Sequence, residues 1–68
     1  MFKFNKLLGR MREVGYSQTA MAKELGISAN AFTNKVKGRS NFTQIEILSM
    51  CDKLDIDSNQ IGAYFFTV

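Results

Sequence analysis

Apolar residues fall along this chain in short clusters at helical spacing, separated by glycines and small polar residues. Phe4, Leu7, Leu8 and Met11 recur at intervals of three and four, which predicts a first helix over Asn5–Val14 that stops at Gly15. Ser17 is a good N-cap for a second helix, with Met21, Ala22 and Leu25 on one face and Gly26 at its end. Ser28 caps a third, in which Phe32 and Val36 form the buried pair and Gly38 closes the element. "TQIE" at 43–46 has the form of a capping box, with Ile47, Leu48, Cys51 and Leu54 expected on the inner face of a fourth helix. A fifth, shorter helix starts at Asp57 or Ser58 and carries Ile61, Tyr64 and Phe65. The last five residues, "YFFTV", are strand-prone and strongly apolar. The expectation is an all-α fold: a compact five-helix bundle in one domain over residues 1–68, ending in a short extended tail.

Sixty-eight residues leave room for a single core and no separate catalytic or sensing domain. With no histidine, no tryptophan and no carboxylate cluster, an enzyme is not expected, nor a metal, a cofactor or a small-molecule substrate. The lone Cys51 cannot form an internal disulfide, which suits a reducing cytoplasm. No apolar run reaches the length of about 20 residues that a membrane span needs, and Met1–Phe4 is too short for a signal sequence.

Charge adds a direction to this picture. Residues 1–39 hold eight Lys or Arg against Glu13 and Glu24, a net of +6. Residues 40–68 hold Lys53 against Glu46, Asp52, Asp55 and Asp57, a net of −3. One positive face and one negative face should result, and the positive one suits a polyanion such as nucleic acid. Ordinary solvated surface would carry the same residues.

The spacing Gln18, Ala22, Gly26, Ile27, Phe32 meets several constraints of a helix-turn-helix over about 17–37. Gly26 permits the positive φ of the turn, Ala22 is small where the next helix crosses, and Met21, Leu25, Ile27 and Phe32 fill the space between the helices. "SQTAMAKELGIS" followed by "KGRSNFT" resembles the helix-turn-helix family of lambda-type repressors and Cro proteins, over roughly residues 5–62. The ending "IGAYFFTV" is similar to short regulators of temperate phages of Gram-positive bacteria, some Cro-like and some modulators of repression. The resemblance implies a lambda-repressor-like bundle, a place in a lysis–lysogeny switch in the bacterial cytoplasm, and a Gln18 that clamps the DNA backbone. Lys35 departs from the family pattern, which has an apolar residue there. Either the helix is rotated slightly, or the Lys35 stem lies over the core with its ammonium in solvent.

In such an arrangement the third helix reads the major groove. With Phe32 and Val36 turned inward, Ala29, Asn30, Thr33 and Asn34 are the candidate base-reading residues. Asn can pair with adenine N6 and N7, and Ala or Thr can meet a thymine methyl. Ser17, Gln18, Thr19, Lys37, Arg39, Ser40 and Asn41 are the candidate phosphate contacts, while Lys6, Arg10 and Arg12 read as general positive field. Ala29 offers no hydrogen bond, so useful affinity calls for two copies on a two-fold site. Tyr64, Phe65, Phe66 and Val68 are the candidate interface for a homodimer or another partner. Two readings therefore stand: a sequence-specific regulator of double-stranded DNA, or an antirepressor that keeps the fold and binds a partner repressor protein.

Overall fold

The helical spacing of the apolar residues becomes five α-helices in a computed structural model that describes residues 2–68. They are α1 (Asn5–Val14), α2 (Gln18–Leu25), α3 (Ala29–Val36), α4 (Gln44–Leu54) and α5 (Ile61–Phe65), the last entered through a 3-10 turn at Ser58–Gln60. The helix starts follow from local chemistry. Ser17 Oγ accepts the Ala20 N–H at 3.0 Å, and Ser28 Oγ accepts the Ala31 N–H at 3.0 Å. At α4 the capping box is complete in both directions: the Glu46 N–H donates to Thr43 Oγ1 at 3.2 Å, and the Thr43 N–H donates to Glu46 Oε1 at 2.8 Å.

Left-handed residues stop three of the helices. Gly26 has φ 72°, and its N–H reaches back to the carbonyls of Ala22 and Lys23, so α2 ends within one residue and α3 follows after Ser28. At the end of α4 the left-handed position is held by Asp55, φ 53°, a residue type that tolerates this region better than most.

Helix α2 packs against α3 and α4, while α1 packs against α4 and α5. The core they enclose is built from Phe4, Leu7, Met11, Met21, Ala22, Phe32, Met50, Cys51, Leu54, Ile56 and Phe65. Three methionines, Met11, Met21 and Met50, are fully buried in it.

The structure corrects the expected inner face of α4. Leu48 is 55% exposed and Met50 is fully buried in its place. A helix advances about 100° per residue, so the arc that buries Met50, Cys51 and Leu54 leaves Leu48 on the far side with Ile45. Among the described residues the tail forms no strand. It makes one antiparallel bridge, in which the Lys3 N–H donates to the Thr67 carbonyl at 2.6 Å.

Phe42, in the loop between α3 and α4, joins the elements in a way the spacing did not signal. Its ring meets Phe4, Phe32 and Phe65 edge-on, at centroid distances of 5.4, 5.7 and 6.1 Å. The entry to α1, the middle of α3 and the end of α5 are thereby pinned to one side chain.

Candidate nucleic-acid interface

Helix α3 has one side in the core and one in solvent. Phe32 is fully buried and Val36 packs against the core, while Ala29 and Asn30 are exposed and Thr33 and Asn34 are half-buried. Thr33 and Asn34 each stand three or four residues from both Asn30 and Lys37, so the four form a single stripe along the helix and its end. Ala29 stands at the start of the helix, beside the stripe.

The chain then turns at Gly38, φ 81°. The Arg39 N–H donates to the Asn34 carbonyl at 2.9 Å, and the Arg39 guanidinium reaches the Asn34 side-chain oxygen at 3.5 Å. That second contact is long and weak. It still places a cation and a carboxamide from the candidate site side by side. Lys37, Arg39, Ser40 and Asn41 are all exposed, so the loop after α3 presents two cations and two polar side chains to solvent.

Ser17, Gln18 and Thr19 are exposed at the start of α2. The Ser17 oxygen accepts the cap hydrogen bond, and its O–H can still donate outward beside Gln18 and Thr19. Helices α2 and α3 form the most extensive helix–helix contact in the fold. The two sets of candidate residues therefore belong to one packed unit, held by Met21, Ala22 and Phe32.

Several cations are less free than their sequence suggests. The Lys35 ammonium does not stand in solvent: it donates to Glu46 Oε1 at 2.8 Å and to the Asn41 carbonyl at 3.0 Å, with the Phe42 ring 5.9 Å below it. Its charge joins α3 to α4. Burial pulls the Glu46 carboxyl upward, yet the hydrogen bonds from Lys35 and Thr43 and the Lys35 charge together outweigh this and hold it below the usual Glu value.

Arg10 keeps its charge and takes a structural contact as well. Its Nε donates to the Leu54 carbonyl at 2.8 Å and so caps the C-terminus of α4. Lys6 lies over the Tyr64 ring, 4.8 Å from its centre. Arg12 remains exposed.

The four candidate interface residues at the end of the chain are divided by the fold. Phe65 is 1% exposed and belongs to the core, because α5 turns it inward against Phe42. Tyr64 is half-buried under Lys6. Only Phe66 and Val68 face solvent, at 51% and 78%.

Among the described residues no group of three His, Cys, Asp or Glu side chains is arranged to hold a metal ion, and no helix is long and apolar enough to cross a membrane. A comparison with curated proteins gives no significant match. A family model, in contrast, matches residues 1–68, and the chain belongs to the family it describes, "Protein of unknown function (DUF739)".

Proposed function

We propose that the protein is a sequence-specific regulator of transcription that binds double-stranded DNA in the cytoplasm. In this reading α2, the Gly26 turn and α3 act as a helix-turn-helix within a lambda-repressor-like bundle. Helix α3 enters the major groove. Asn30 and Asn34 pair with adenine edges, and Ala29 and Thr33 contact thymine methyls. Ser17, Gln18 and Thr19, at the positive end of α2, meet one phosphate, and Lys37, Arg39, Ser40 and Asn41 meet others.

The observation that supports this most is the polar stripe Asn30, Thr33, Asn34, Lys37 on a helix whose opposite side is anchored by Phe32. Asn and Thr lower helix stability, and the exposed Asn30 side chain has no intramolecular hydrogen bond, among the described residues, that would account for it.

A partner repressor protein is the second reading. It draws on the small number of free cations near α3, since Lys35 is held by Glu46. It also draws on an apolar surface elsewhere on the molecule, which includes Leu48 and Phe66.

Selection of bound duplexes from a random DNA pool separates the two. Under the first reading a two-fold site is enriched. Asn30→Ala abolishes preference for it, and Arg39→Ala weakens binding to all sequences alike with a shallower salt dependence. Failure to enrich any site, with only weak binding that salt erases, would count against DNA as the target.

A further inference from the structure

The loop between α3 and α4 falls into two halves that are held in different ways. The end of α3 itself fixes Lys37 and Arg39: the Lys37 N–H donates to the Thr33 carbonyl at 2.9 Å, and the Arg39 N–H donates to the Asn34 carbonyl at 2.9 Å. Neither bond needs a side chain. Beyond Arg39 the pattern changes. Among the described residues, the backbone of Ser40, Asn41 and Phe42 makes a single hydrogen bond, in which the Asn41 carbonyl accepts from the Lys35 ammonium at 3.0 Å. Phe42 is anchored besides by its ring, and Thr43 by the α4 cap. Ser40 and Asn41 thus span two fixed points with the Lys35 bond as their tether.

That bond is not a loose surface contact. The same ammonium donates to Glu46 Oε1 at 2.8 Å, and the two side chains are only 13% and 12% exposed. Glu46 Oε1 also accepts the Thr43 N–H at 2.8 Å, so the cation is aimed by a carboxylate that the cap has already oriented. A lysine stem without such a partner samples many rotamers and would hold no carbonyl in place.

Two residues between fixed points still have their own φ and ψ to set. The Lys35 bond selects one arrangement, in which the Asn41 carbonyl turns towards the α3–α4 junction while Ser40 and Asn41 stay exposed. Both are candidate phosphate contacts, and a contact gains most when its donor is ordered before binding. Lys35 itself is mostly buried and paired, unlike the exposed Lys37 and Arg39.

We propose that Lys35 and Glu46 are positioning residues for DNA. The ammonium, aimed by the carboxylate, sets the Asn41 peptide so that Ser40 and Asn41 meet the backbone phosphates. This rests on the DNA-binding reading and adds to it a pair of residues that touches no DNA.

A thermodynamic cycle on the full chain tests it, with a fluorescent duplex carrying the site enriched from the random pool. Lys35→Met/Glu46→Gln removes the tether and leaves the formal net charge at +3, since one cation and one anion are lost together. Glutamine still accepts the Thr43 N–H, so α4 keeps its cap and circular dichroism should match the wild type. The variant should bind every sequence about tenfold more weakly, as the loss of two phosphate hydrogen bonds implies, with an unchanged salt dependence. In a Ser40→Ala/Asn41→Ala background the same two changes should cost less than about twofold. A purely structural role moves neither quantity while the protein is folded. Full affinity in the tether variant overturns the proposal, as does an equal loss in the two backgrounds. So does a salt slope shallower by about one, which would make Lys35 a phosphate contact in its own right. If the double variant does not fold, Lys35→Met alone is put through the same cycle. In each of these results the wild type still binds its site. A wild type that enriches no site removes the DNA reading instead, and this proposal with it.

Discussion

The Lys35 ammonium and the Glu46 carboxylate lie 2.8 Å apart, and the pair ties α3 to the first turn of α4. The oxygen that accepts Lys35 also accepts the Thr43 N–H, so one carboxylate closes a helix cap and an interhelix bridge together. Removing its charge should therefore cost more than a surface ion pair would. For Glu46→Gln we expect a loss of about 1–3 kcal/mol at neutral pH.

The same carboxylate predicts an acid limb. Its native pKa lies below 4.5, so its contribution is complete above the unfolded value and is lost as pH falls through the native one. Thermal melts should show the wild type weakening below about pH 4.5, with a flatter curve for Glu46→Gln over that range. Parallel curves would place the acid sensitivity elsewhere.

Two glycines should respond to alanine in opposite directions. Gly26 sits at φ 72°, where a Cβ is strained whatever space surrounds it, and Gly26→Ala should cost about 1–2 kcal/mol. Gly9 lies inside α1, and a Cβ added there would meet nothing within 4 Å. Gly9→Ala should add about 0.5–1 kcal/mol through helix propensity alone. Urea melts that move both variants the same way would contradict this account.

Why some of this was legible in the sequence and some was not follows from how far each signal reaches along the chain. Ser17, Ser28 and Thr43 act on N–H groups three residues away, so every helix they start could be placed from a short window. Phe32, Met21 and Ala22 were legible because one turn brings them together. Ile45, Ile47 and Leu48 were ambiguous, since three apolar residues in four positions cannot all face one side of a helix. Only the choice of Met50 and Leu54 as the buried arc settles which of them is left outside. Lys35 and Phe42 depend on partners six to thirty-eight residues away, and no local pattern marks them. The stripe on α3 could be read from the burial of Phe32. The apolar patch could not, because it needed Phe65 and Phe66 to be told apart.

Cys51 offers a chemical probe of the core. It is 8% exposed, and burial pushes its thiol above 9.0, so the fold favours the neutral form. That contribution to stability is present below the unfolded pKa and is lost as pH rises through the native value. At neutral pH an alkylating reagent should react only as the protein opens, with a rate that rises steeply in urea. Prompt labelling of the native protein would show that α4 exposes this side.

Phe42 sets the last expectation, because its ring is the common neighbour of Phe4, Phe32 and Phe65. Each edge-to-face contact contributes about 0.5–1.5 kcal/mol beyond the burial of the ring. Phe42→Ala removes all three and opens a cavity where α1, α3 and α5 converge, so its cost should fall in the range of about 3–5 kcal/mol. For a domain of this size that is most of the stability available. Phe42→Leu keeps much of the apolar bulk but loses the edge contacts, and it should fold with a smaller loss of about 1–2 kcal/mol. The pair discriminates between filling space and orienting rings: equal losses in denaturant melts would mean that the aromatic geometry contributes nothing. A Phe42→Leu protein that also loosens α3, seen as faster amide exchange at Thr33 to Val36, would show that this loop residue fixes the helix proposed to read DNA.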